Sequence, residues 1–146
     1  MSSTIPLISS GVAGPLGVLH LPRLWEKVSL SNVGKLHPDY PAIGAGYDSM
    51  VLGALGIEKE AFVEFMKSKP SYLQLEAWIL DQKGGALDAA VVDELNAGIL
   101  GYEHKEETRT EILQAAGRED DGSILDAVNL NNLDDWAAFH RLEIAG

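Results

Sequence analysis

The sequence predicts an all-α protein, a compact single-domain bundle of six to seven short helices with a long ordered loop after the first helix. Three observations carry that prediction. Apolar residues recur at i, i+3, i+4 and i+7 rather than in alternation. Turn signals divide these runs into lengths of about three helical turns each. β-branched residues are sparse, and no alternating stretch lasts long enough to make a strand. With 146 residues there is room for one domain, 1–146, with a core large enough to stand without metals or disulfides.

Residues 1–20, broken by Gly and Pro, read as an irregular N-terminal arm with no basic n-region and no cleavage site, so the chain reads as cytoplasmic. His20 belongs to the entrance of the first helix. That helix starts with Pro22 in its first turn and stops at Gly34, and Leu21, Leu24, Trp25 and Val28 form its core stripe. The segment GKLHPDYPAIGAGYD has too many prolines and glycines for a helix and predicts an ordered loop over 34–48. Asp48 then reads as the N-cap of a second helix running to Leu55 before Gly56.

Further helices are predicted from Glu58 to Lys67, from Ser71 with Gln74 as a capping box, and from Asp88 to just before Gly101. Thr108 with Glu111 suggests another capping box ahead of a helix stopped by Gly117, and Ser123 with Asp126 a short turn. The last helix is predicted from about Asn132, with Leu133, Trp136, Ala137, His140 and Ile144 on one face.

Composition narrows the function classes. Without cysteine there is no disulfide framework, thiolate metal site or cysteine nucleophile. A net charge of −11 argues against nucleic-acid and anionic-membrane partners, because both attract basic surfaces. The charge is uneven: in residues 1–46 Arg23, Lys27 and Lys35 outnumber Glu26 and Asp39 by one, so the rest of the chain carries −12. No spacing suits a metal, the pair His140 and Glu143 being the nearest to one, and no glycine pattern suits a nucleotide. No cofactor is expected.

The loop concentrates Lys35, His37, Asp39, Tyr40, Tyr47 and Asp48, groups that hold anions and move protons. Each also has a structural explanation, Asp48 as a cap and the tyrosines as half-buried anchors. Arg23 and Lys27, four apart, share one helix face and would hold a carboxylate or phosphate together. Lying opposite the apolar stripe, they are better explained as a solvated face unless a second layer of protein covers them. His140 and Trp136 read as core or interface residues, and His104 as part of a solvated charged segment.

The run LPRLWEKVSLSNVGKLHPDY, followed by GAGYDSMVLGALGI, resembles an uncharacterised bacterial family defined as a domain of unknown function. The matching positions are Arg23, Glu26, Lys27, Gly34, Lys35, Asp39, Tyr40, Gly46, Tyr47 and Asp48. LEAWILDQKG, DELNAGI and NNLDDWAAFHRLEIA extend the likeness over most of the chain, whereas GYEHKEETR is acidic where the family is basic and aromatic. The resemblance implies a small helical bacterial protein and brings no activity with it.

Two expectations follow. The first is a cofactor-independent lyase or isomerase working by general acid–base chemistry on a small anionic organic molecule. Arg23, Lys27, Lys35 and Asp39 would bind substrate, His37, Tyr40, Tyr47 and Asp48 would do the chemistry, and His140 and Trp136 would contribute from the second half. The second is a non-catalytic ligand-binding or protein-interaction module, homo-oligomeric through the stripe around Trp136 and His140.

Overall fold

The computed structural model describes residues 3–146. The predicted arm over 1–20 is irregular from residue 3 onward, and Met1 and Ser2 lie outside the described residues. Seven α-helices follow among the described residues: α1 (Leu21–Asn32), α2 (Tyr47–Leu55), α3 (Lys59–Met66), α4 (Tyr72–Gln82), α5 (Ala89–Gly101), α6 (Glu106–Ala115) and α7 (Ala127–Phe139). α7 runs on into a π-helical turn, His140–Ala145. Extended pairing among these residues is limited to isolated bridges, Thr4 with Leu36, Ala13 with Leu19 and Glu103 with Asp126.

α1 is the central element, touching α2, α3 and α4. Its Leu21, Leu24 and Val28 meet Val51, Leu52 and Leu55 of α2, Phe62 and Met66 of α3, Leu75 and Ile79 of α4, and Leu95 and Ile99 of α5 in one core. Trp25 sits at the edge and donates its indole N–H to the Pro70 carbonyl at 3.0 Å. α1 ends as predicted: Gly34 takes φ 71°, a left-handed turn that costs glycine little, and the Lys35 N–H reaches back to the Leu30 carbonyl. The capping box of Ser71 and Gln74 is present, and Asp88 caps α5 through the Ala90 N–H.

Three expectations about caps and turns are corrected. α2 begins at Tyr47 with Gly46 as its cap, because the Asp48 carboxylate is drawn inward to other partners. α6 begins at Glu106, so Thr108 lies inside it and its capping box does not form. Ser123 starts no helical turn; it closes the α6–α7 loop on Asp121, and Asp126 caps α7 through the Asn129 N–H.

α7 therefore starts five residues earlier than predicted and buries Ala127, Val128, Leu130, Asp135 and Ala138. Of the two readings of its apolar stripe, core or interface, the core one does not hold: Trp136 is 57% exposed, and His140 and Ile144 are exposed. Small side chains and the ion pair of Asp135 set the rotation of α7, and the π-helical turn shifts the phase of whatever follows it.

The arm is the second layer over α1. Ile5, Pro6 and Val18 are buried, and Thr4 exchanges backbone hydrogen bonds with Lys35 and His37, tying the arm to the loop. Gly14 lies so close to α4 that a Cβ there would fall 2.4 Å from the Tyr72 ring and 2.7 Å from the Glu76 carboxylate.

Candidate functional site

Arg23 and Lys27 are 7% and 6% exposed, not solvated as the helix pattern favoured. The arm and α7 cover Arg23, whose guanidinium forks onto Asp135 at 2.6 and 3.1 Å and also donates to the Pro6 and Ile8 carbonyls. The Tyr40 hydroxyl adds a bond to Asp135 at 3.0 Å, and Glu26 accepts the Ile8 N–H. Burial pushes the Asp135 carboxyl above its ordinary range, against the pull of Arg23 and Tyr40. Burial likewise raises Glu26 and the Tyr40 phenol.

One turn along α1, Lys27 donates to Asp48 Oδ2 at 2.5 Å while the Gly44 N–H reaches the same oxygen at 2.7 Å. Asp48 Oδ1 accepts His20 Nε2–H at 2.6 Å, so His20 Nδ1 accepts the Ser10 hydroxyl at 2.8 Å. Burial lowers the His20 pKa and keeps the ring neutral, the neighbouring carboxylate opposing this. Burial alone would raise Asp48; the His20 hydrogen bond, the Lys27 ammonium and the Gly44 N–H bring it below the usual carboxylate value. His20 holds φ 70°, a left-handed conformation sustained by these contacts.

The order Ser10, His20, Asp48 copies the connectivity of a nucleophilic triad. Its setting does not suit one: Ser10 is 2% exposed and His20 is buried, so neither meets a substrate at the surface. These residues hold the arm to α1 and α2.

The predicted site residues thus separate. Asp48 and Lys27 join one buried cluster, Arg23 and Tyr40 the other. Lys35 and Asp39 are exposed on the loop, where His37 Nδ1 accepts the Asp39 N–H and its ring meets Tyr40 edge-on. His140 and Trp136 border a shallow cleft of about 320 Å³ on the outer face of α7. Among the described residues no three His, Asp or Glu side chains are grouped to hold a metal ion.

Tyr47 alone of the predicted set lines a larger concavity, of about 370 Å³, at the start of α2 and α7 and the α5–α6 connection. Its other walls are Ala45, Gly46, Met50, Tyr102, His104, Ala127 and Asn131. Three rings follow one another edge-to-face: Tyr47 and Tyr102 at 5.8 Å, then Tyr102 and His104 at 5.9 Å. Tyr47 donates its hydroxyl to the Ile99 carbonyl at 2.8 Å, and its ring stands against His20 at 5.3 Å. Burial, with Asp126 and Tyr102 nearby, pushes its phenol up to about 12, so it is a wall rather than a proton donor.

His20, Asp135, Tyr102, His104 and Asn131 are the residues that sequence reasoning missed. His104 looked solvated because Glu103, Lys105, Glu106 and Glu107 surround it in sequence. Asn131, 27 residues on, draws its ring into the cleft. The alternation of Tyr102 with His104 in the connection was the one available signal.

Fold and site define an all-helical domain in which the motif residues Arg23, Lys27 and Asp48 are turned inward and aromatic residues open a cleft. Residues 9–136 match the family described as Domain of unknown function (DUF5069), and the chain belongs to it. No curated protein and no solved structure matches the chain. Among the described residues no helix is long and apolar enough to cross a membrane.

Proposed function

We propose that this domain is a ligand-binding module that takes a small planar organic molecule in the cleft of Tyr47, Tyr102 and His104. The observation that carries the reading is the run of three rings, each edge-on to the next, around a cavity of about 370 Å³. Apolar walls with a few convergent polar groups are the common make-up of small-molecule sites. Aromatic walls favour flat ligands through stacked and edge-on contact. The acid–base reading on an anionic substrate has less support, because Asp135 and Asp48 already neutralise the Arg23 and Lys27 proposed to hold it.

The test is an amide chemical-shift titration of the intact chain with indole at millimolar concentration. Shifts confined to residues 45–50, 102–104 and 127–131, and abolished by Tyr102→Ala, are the expected result. Tyr102 is about half exposed, so this variant keeps its core. Shifts elsewhere, or none, overturn the proposal.

A further inference from the structure

The cleft has a chemical polarity that narrows its ligand. None of its eight lining residues is Asp, Glu, Lys or Arg. A charged ligand group placed there would lose hydration without gaining a counter-charge from the lining side chains. A neutral ligand avoids that loss.

The hydrogen-bonding groups on the walls are not equivalent. The Tyr47 hydroxyl is committed to the Ile99 carbonyl. The Tyr102 hydroxyl donates or accepts and therefore discriminates little. His104 differs, because its Nε2 lies 2.8 Å from Asn131 Oδ1. A carboxamide oxygen only accepts, so Nε2 must carry the proton, and in the neutral ring Nδ1 is left as a lone-pair acceptor. Nδ1 has no hydrogen-bond partner among the described residues.

The tautomer is thus fixed from outside the ring, by a residue on α7, 27 positions away. We infer that His104 Nδ1 is the acceptor that selects a neutral planar ligand carrying an N–H or O–H donor, with Asn131 as the positioning residue that fixes its tautomer. This rests on the cleft being the binding site, as proposed above. A phenol, an indole or another N–H heteroaromatic meets the requirement; its N-methyl or O-methyl relative has the same flat shape and lacks the proton.

The experiment compares indole with 1-methylindole, and phenol with anisole, by calorimetry or shift titration on the intact chain. The wild-type protein should bind each donor about five-fold more tightly than its methylated partner, the effect of one net hydrogen bond. His104→Phe keeps a ring in the wall and should reduce the ratio to one while 1-methylindole still binds. Asn131→Leu, which frees the tautomer of His104, should shrink the ratio by weakening the donor ligands while 1-methylindole and anisole bind as before; a purely structural role for Asn131 would weaken donor and methylated ligands alike. Equal affinities in the wild type, an unchanged ratio in His104→Phe, or benzoate binding more tightly than indole would overturn the inference while leaving the cleft as the site. If none of these molecules perturbs the cleft residues, the binding-site proposal itself falls, and this inference with it.

Discussion

Arg23→Met decides whether the face of α1 opposite the apolar stripe is a core or a surface. Methionine nearly fills the volume of the arginine stem, so the change chiefly removes charge and hydrogen bonds. Four bonds disappear: two to Asp135 and one each to the Pro6 and Ile8 carbonyls. Asp135, 3% exposed, keeps only the Tyr40 hydroxyl as a donor. Breaking a buried pair from one side costs about 3–5 kcal/mol, against about 5–15 kcal/mol of total stability for a domain.

Urea unfolding followed by tryptophan fluorescence should therefore show a large drop in midpoint at pH 7 with an unchanged slope. Because burial raises Asp135, and losing Arg23 raises it further, the orphaned carboxyl carries its penalty above its folded pKa and loses it below. The deficit should shrink toward pH 5. The double variant Arg23→Met with Asp135→Leu removes both charges and should recover most of the loss. A single variant within about 1 kcal/mol of wild type, as for an exposed pair, would refute the buried assignment.

Two further outcomes follow from the same region. His20 and Asp48 both have folded pKa values below their ordinary ones, so the unfolded chain binds more protons as the pH falls. His20 acts first: stability should begin to decline as the pH drops below about 6.5, the ordinary histidine value, and His20→Gln should flatten the curve between pH 7 and 5. Burial raises Glu26, Asp134 and Asp135, which oppose this slope in the carboxylate range. Gly14→Ala should cost about 1–3 kcal/mol by overpacking against the Tyr72 ring and Glu76, read as a lower melting temperature; an unchanged melting temperature would mean that the arm does not bind α4 this closely.

Local physics made most of the fold legible. The i, i+3, i+7 pattern of Leu21, Leu24 and Val28, the Ser71 and Gln74 box, the Asp88 cap and the Gly34 and Gly56 stops depend on neighbours within a turn or two, and all stand in the structure. The same rules placed the start of α7 near Asn132, five residues late, because Asp126 supplies its cap and the inward face is of small residues with weak amphipathic contrast. Between them, periodicity and capping determined the helices, their approximate limits and the loop over 34–48.

Tertiary structure decided which charges are buried and where the cleft lies. Arg23 meets Asp135 across 112 residues, and Lys27 and His20 meet on Asp48 across 21 and 28. An arginine four residues from a lysine looks alike in sequence whether water or an N-terminal arm covers it, because helical spacing fixes only which side chains share a face. The cover comes from chain closure, and so do the pKa shifts that burial causes. Likewise Tyr102 and His104 became cleft walls only when α7 brought Asn131 beside them. The residues that the sequence marked as chemical are mostly the ones that hold the arm in place, and the open site was built, apart from Gly46 and Tyr47, from residues that carried no motif.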